Sequence, residues 1–162
     1  MKTETELLAV MAGYCSQAER CIDDVRKKIK TAGLTEEAEN RIIDRLLREK
    51  FIDERRFCRS FVNDKLKFNH WGRIKTGYEL KKKHIKPETY SEAFDAIDEN
   101  EYLSVLTGLL KSKKRSVKGR SAQEVFQKLY RFASSRGFEH PLIIKILKDL
   151  LGNMDYDDTT FE

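Results

Sequence analysis

Proline is nearly absent from this chain. Only Pro87 and Pro141 occur among 162 residues, and glycine is sparse at eight. Proline breaks helix interiors by removing an amide donor and clashing with the preceding turn, so its scarcity leaves long stretches free to be helical. The three cysteines, Cys15, Cys21 and Cys58, are odd in number and form no CxxC pair. That excludes a disulfide framework as the source of stability and points to free thiols in a reducing compartment. No run of 18 apolar residues is present, which excludes a transmembrane helix. The opening Met1–Glu6 lacks the basic-then-apolar pattern of a signal peptide. The expectation is a soluble, cytoplasmic protein with no membrane partner.

Catalytic patterns are missing as well. No GxxxxGK[ST] phosphate cradle occurs, and Lys118-Gly119-Arg120-Ser121 matches only its last letters, without the upstream glycine. His70, His84 and His140 are too scattered for a HExxH or Cys/His ligand set. Cys15 and Cys21 are six apart, too far for a helical i, i+4 pair, and suit small core positions. Adjacent acids such as Asp23-Asp24 diverge by about 100° on a helix. The sequence therefore predicts no catalytic residue, no metal site and no cofactor: the protein is not expected to be an enzyme.

What is present is charge. Lys, Arg, Asp and Glu make up 36% of the chain, with a net charge of +5. Residues 1–50 balance ten basic against ten acidic side chains, while 51–90 carry eleven basic against five acidic. Residues 91–101 add five acids and no base, 102–148 carry eleven basic against two acidic, and 149–162 close with five acids. Two basic blocks around an acidic spacer suit a polyanionic partner, with an acidic tail limiting nonspecific adhesion. Solvated helix faces are the plainer alternative.

Helix signals punctuate the chain. Thr3-x-x-Glu6, Ser16-x-x-Glu19 and Ser121-x-x-Glu124 have the form of capping boxes. Thr35 and Asp53 suit N-caps, Pro87 and Pro141 suit first helical positions, and Gly33 and Gly137 suit C-terminal caps. Apolar residues recur at helical spacing, as in Leu142, Ile143, Ile146, Leu147, Leu150 and Leu151. The pattern predicts nine helices, at 4–13, 17–31, 36–49, 54–68, 73–83, 87–97, 99–113, 122–136 and 140–151, and an all-α fold.

A repeat underlies them. Leu34, Ile85 and Phe138 each follow Ile29, Leu80 or Ala133 by five residues. Each precedes apolar positions eight, nine and twelve residues later: Ile42, Ile43 and Leu46; Ala93, Phe94 and Ile97; Ile146, Leu147 and Leu150. The chain reads as three tandem three-helix repeats, 1–52, 53–98 and 99–152, followed by an acidic flexible tail at 153–162. Neighbouring copies can share buried surface.

The candidate functional residues are basic. Arg73, Lys75, Lys81 and Lys82 fall on the fifth helix beside Trp71, and Lys113, Lys114, Lys118 and Arg120 lie near the end of the seventh. Lysine and arginine attract phosphate without specifying sequence, and cations also favour helix C-termini for structural reasons alone. Trp71 suits a packing anchor, with base stacking as the functional alternative.

Several motifs resemble one family. Phe51-Ile52-Asp53-Glu54-Arg55-Arg56-Phe57-Cys58, then Trp71-Gly72-Arg73-Ile74 with Glu79-Leu80 and His84-Ile85, then Arg136-Gly137-Phe138, are similar in order and spacing to the motifs of RecX proteins. The resemblance spans roughly residues 15–150. His84 stands where the family has glycine, which asks for a left-handed residue or a different cap, and the acidic tail has no counterpart. The resemblance implies three three-helix repeats in an elongated, curved array of right-handed helices. It implies a regulator acting in DNA repair, recombination and the SOS response, which binds RecA filaments on single-stranded DNA and inhibits ATP hydrolysis, strand exchange and filament growth. It further implies a monomer with at most a weak direct contact to DNA. The charge pattern assigns the filament- or DNA-facing attraction to Arg73, Lys75, Lys81, Lys82, Lys113, Lys114, Lys118 and Arg120. A stand-alone helical nucleic-acid-binding module is the alternative, and a scaffold for another protein is a third.

Overall fold

The computed structural model describes residues 2–152, so the acidic segment 153–162 lies outside the described residues. Among them the chain forms nine α-helices and no strand: α1 (Glu4–Gln17), α2 (Ile22–Lys30), α3 (Glu36–Arg48), α4 (Glu54–Asp64), α5 (Arg73–Lys82), α6 (Pro87–Asp95), α7 (Glu99–Lys114), α8 (Ala122–Ser135) and α9 (His140–Leu151). A π turn, Lys65–Asn69, prolongs α4.

Side chains start most of these helices where the sequence indicates. The hydroxyls of Thr3, Thr35 and Ser121 each accept the amide three residues on at 3.2 Å. Asp53 accepts the amides of Arg55 and Arg56 at 3.1 Å, and Asp98 accepts that of Asn100 at 2.8 Å.

One expected cap is wrong. The Ser16 hydroxyl donates to the Ala12 carbonyl at 2.8 Å inside α1, which runs on to Gln17 instead of ending at residue 13. Helix α2 starts at Ile22, not at residue 17, and the Cys21 amide donates to Asp24 Oδ2 at 3.2 Å. Ser16 and Glu19 have the letters of a capping box, but within a formed helix serine bonds back to a preceding carbonyl. Pro141 is also displaced, being the second residue of α9 after His140.

The described residues group into two compact units: the chain through Phe61 with Leu80–Ala93, and Val62–Glu79 with the chain from Phe94 onward. In the first, α1, α2 and α3 close around Leu7, Met11, Val25, Ile29, Ile42 and Leu46. Cys21 and Cys58 are fully buried there, and burial pushes both thiols up to about 12, so neither ionises near neutral pH. In the second, α7, α8 and α9 enclose Leu106, Phe126, Leu129, Phe138, Ile143 and Leu147, with Leu66 of the π turn joining them. Each such side chain contributes roughly 1.5–3 kcal/mol by leaving water.

The repeated turns share a main-chain geometry. Gly33, His84 and Gly137 all have positive φ, at 72°, 63° and 87°. At the latter two, the next residue donates five positions back, Ile85 to Leu80 at 3.3 Å and Phe138 to Ala133 at 3.3 Å. His84 and Gly137 themselves donate three positions back at 3.0 Å, completing a Schellman closure. Lys50, with φ 62°, closes α3 in the same way: Phe51 donates to Leu46 at 2.9 Å. Of the two readings of the departure at His84, a left-handed residue or a different cap, the turn contains the left-handed residue.

The His84 side chain is largely exposed, with Nδ1 3.2 Å from Asp23 Oδ1. His84→Gly should therefore gain up to about 1 kcal/mol in urea unfolding by relieving the left-handed strain. Gly33→Ala, which faces open space, should lose about 1 kcal/mol from the same cause.

Beside it, Lys83 Nζ lies 2.9 Å from Asp24 Oδ1, both side chains being mostly buried. Burial opposes the aspartate's charge, yet the Lys83 ammonium and the Cys21 amide hold its carboxyl below the ordinary 3.8. A folded-state value below the unfolded one gives stability that is present above the ordinary aspartate range and lost as pH falls through the lowered value. Asp24→Asn should cost about 1 kcal/mol at pH 7 and markedly less at about pH 3, as read from urea midpoints. An equal loss at both pH values would contradict the pairing.

Candidate functional site

Helix α5 begins without a capping side chain, because Trp71 and Gly72 precede it. Its first donors are instead met by tertiary contacts within the second unit. Gly72 N–H donates to the Arg136 carbonyl at 2.8 Å and Ile74 N–H to the Gly137 carbonyl at 3.0 Å. Arg73 N–H donates to the Tyr102 hydroxyl at 3.0 Å. That hydroxyl in turn donates to Glu139 Oε1. The other Glu139 oxygen accepts Arg73 Nη1 at 2.7 Å, while Arg73 Nη2 reaches Glu99 at 2.6 Å. The guanidinium lies 3.9 Å from the Tyr102 ring centroid. Two separate motif stretches, Trp71–Ile74 and Arg136–Phe138, thus meet in one junction.

Only glycine fits this approach. A Cβ on Gly72 would stand 2.4 Å from the Gly137 carbonyl oxygen, and one on Gly137 would stand 2.4 Å from Lys75 N. Burial and the Glu139 carboxylate push the Tyr102 phenol well above its usual range. Burial also opposes the Arg73 charge, but hydrogen bonds from Glu139 and Glu99 outweigh it and raise its pKa. The sequence groups Arg73 with the partner-facing cations. Its side chain is only 22% exposed and its charge is met by two carboxylates, so it holds this junction.

Around the junction, cations sit on aromatic rings. Lys65 Nζ and Lys75 Nζ lie 4.9 Å and 4.8 Å from the centroid of the half-buried Trp71 ring. Lys113 Nζ and the Arg136 guanidinium lie 4.8 Å and 5.0 Å from that of Phe132. Arg136 also donates to the Asn69 carbonyl at 3.3 Å, tying the π turn to the end of α8.

The remaining expected residues are placed differently. Lys81 and Lys82 are exposed on the last turn of α5, in the first unit. Lys114 is exposed with Nζ 3.5 Å from the Leu150 carbonyl. Lys118 and Arg120 are exposed in the loop before α8, where main-chain contacts pin them: Lys128 Nζ donates to the Lys118 carbonyl at 2.6 Å, and the Arg120 amide donates to Glu124 at 3.0 Å. Lys75 and Lys113 thus come into cation–aromatic groups. Lys65, Phe132 and Arg136 were missed in the sequence. Phe132 and Arg136 stand at i, i+4, a readable signal; Lys65 and Trp71 are six apart, a spacing that only the π turn brings together.

Four of the five acids in the spacer act locally. Asp98 caps α7, Glu99 meets Arg73, Glu92 lies 3.5 Å from Arg55, and Glu101 lies 3.8 Å from Lys67. Among the described residues, no three His, Cys, Asp or Glu side chains are placed to share a metal ion, and no helix is long and apolar enough to cross a membrane.

The geometry defines a class: an all-α protein in which α1–α3 and α7–α9 each close a three-helix packet, with a charged, ring-studded surface. Residues 53–93 match the family model described as RecX, second three-helix domain. The chain is 33% identical over 135 residues to the "Regulatory protein RecX" of Clostridium botulinum (strain Alaska E43 / Type E3), covering 82% of this chain and 63% of that one. It is 28% identical to the protein of the same name from Prosthecochloris aestuarii (strain DSM 271 / SK 413), covering 87% and 91%. The crystal structure of RecX from Lactobacillus salivarius superposes with TM-score 0.79 at 17% identity, covering 91% and 96%. A further crystal structure of regulatory protein RecX gives 0.81 at 20% identity, covering 90% and 71%. The chain is similar to RecX proteins over most of its length. It spans somewhat less than two thirds of the length of the Clostridium botulinum relative.

The junction makes a sharp stability forecast. Gly137→Ala should cost about 2–4 kcal/mol, combining a left-handed alanine with the collision at Lys75. Tyr102→Phe should cost about 1–3 kcal/mol by orphaning the Arg73 amide and a Glu139 oxygen. Thermal melts of both variants check this; a neutral Gly137→Ala would show that the two backbones are not in contact.

Proposed function

We propose that this protein regulates RecA, binding the RecA filament on single-stranded DNA and inhibiting its ATP hydrolysis, strand exchange and growth. The resemblance to RecX proteins carries the proposal: the curated relatives are named regulatory proteins RecX, and RecA is the target that the resemblance implies. The protein acts as a cytoplasmic monomer without catalysis of its own, and its three-helix repeats divide near residues 52 and 98. The basic residues Lys75, Lys81, Lys82, Lys113, Lys114, Lys118 and Arg120 supply the attraction to filament and DNA, while Arg73 holds its junction.

A filament partner suits this charge pattern, because the phosphates of single-stranded DNA present a dense row of negative charge. The cation–aromatic groups at Trp71 and Phe132 favour a second reading, a stand-alone nucleic-acid-binding module.

RecA's DNA-dependent ATP hydrolysis separates the two. Filament regulation requires strong inhibition at amounts far below one copy per RecA subunit. Inhibition only when the DNA itself is saturated favours the module. Reversing charge at Lys81, Lys82, Lys118 and Arg120 together, all exposed, should weaken inhibition and flatten its salt dependence. Unchanged inhibition by this variant would sink the assignment of these residues.

A further inference from the structure

We propose that Ser116 is a phosphorylation site, the acceptor for a protein kinase that recognises cations ahead of its target serine, and that the added phosphate weakens the basic surface around it. The effect on RecA rests on the function proposed above; the site itself is tested without RecA.

The connection between α7 and α8, residues 115–121, is seven residues long, whereas the other connections between helices run three to five. Six of its residues are exposed, and the seventh, Val117, packs against the α7–α9 core and anchors the loop. A long exposed loop held in this way gives a modifying enzyme access to the main chain. Ser116 follows Lys113, Lys114 and Arg115 directly, and no other serine or threonine in the chain follows three cations. No acid occurs between Glu101 and Glu124, while the same stretch holds Lys111, Lys118 and Arg120 as well. Kinases select substrates by charge patterns of this kind.

Helix stability explains only part of this charge. The lysines on the last turn of α7 suit the negative end of its dipole. Arg120, however, stands directly before Ser121, the N-cap of α8, where a cation opposes the dipole. Ser121 is the poorer acceptor, because its hydroxyl accepts the Glu124 amide at 3.2 Å and starts the helix. The Ser116 hydroxyl donates to the Lys113 carbonyl at 3.1 Å, which the amides of Ser116 and Val117 also reach at 3.0 Å. Losing the hydroxyl hydrogen therefore leaves the turn closed by two amides.

In the transfer, the Ser116 Oγ–P bond forms as the bond from the γ-phosphorus of a nucleoside triphosphate to its β–γ bridging oxygen breaks. The nucleoside diphosphate leaves, and the hydroxyl proton passes to the kinase's catalytic base. The product carries nearly two negative charges at pH 7, which cancels about a third of the positive charge between Glu101 and Glu124. Lys113, Lys114, Lys118 and Arg120 then attract a polyanion less.

The chain is recovered from its own cells, growing and after DNA damage, with phosphatases inhibited, and its peptides are mapped by mass spectrometry. Expected is phosphate on Ser116. In vitro, ATP and a kinase that requires basic residues upstream of serine should add one phosphate per chain. Ser116→Ala should abolish it, and Lys113→Gln with Lys114→Gln and Arg115→Gln should slow it about ten-fold or more. Circular dichroism confirms that each variant is folded. A chain carrying phosphoserine at position 116 should inhibit RecA's ATP hydrolysis about three-fold or more less potently at about 0.15 M salt, with the gap closing as salt rises.

A Ser116 peptide recovered only without phosphate under both growth conditions overturns the site, as does transfer in vitro that Ser116→Ala leaves unchanged. Phosphate on Ser116 with undiminished inhibition of RecA overturns the weakening. If neither form inhibits RecA, the regulator reading is wrong, while phosphate on Ser116 still upholds the site.

Discussion

Two backbones touch at Gly72 and Gly137, and the second unit depends on that approach. It is a contact without side chains, so no packing adjustment can substitute for it: any Cβ there meets a carbonyl or an amide at 2.4 Å. The same approach caps α5, because the Arg136 and Gly137 carbonyls take the place of a capping side chain. Tyr102, Arg73, Glu99 and Glu139 then close around it, each satisfying a polar group that burial would otherwise strand. The rings and cations nearby inherit their positions from this core of main-chain contacts.

Electrostatics follows a division of labour. Four of the five acids of residues 91–101 work close to home, as a cap and as ion-pair partners. Arg73 is neutralised with them. Lys75, Lys113 and Arg136 lie instead against rings, where a cation keeps its charge while its position is restrained. Net charge by segment does not separate the two groups: it counts Arg73 and Arg136 alike.

How far the residues foretold the structure varies with the range of the forces involved. Helix starts at Thr3, Thr35, Asp53 and Ser121 were legible because a capping hydroxyl or carboxylate acts within three residues. The all-α class was legible for the same reason, apolar period being local. Ser16 misled because its hydroxyl had a second, equally local acceptor in Ala12. The glycine junction was hidden, since Gly72 and Gly137 look like ordinary turn residues until the fold brings them together. The pairing of Lys65 with Trp71 was hidden too, because it needs a π turn that no apolar spacing announces.

The Schellman closures have a consequence for drift. At Lys50, His84 and Gly137 the joint between helices is made by amides and carbonyls, which every residue carries. Away from the Gly72 contact, such a joint asks only for one residue that reaches positive φ and an apolar one after it. Lysine and histidine meet the first demand here, at a cost in left-handed strain that glycine avoids. A chain punctuated this way can exchange most of its letters while its helices keep their angles, and a superposition of 0.81 at 20% identity is what that freedom looks like from outside.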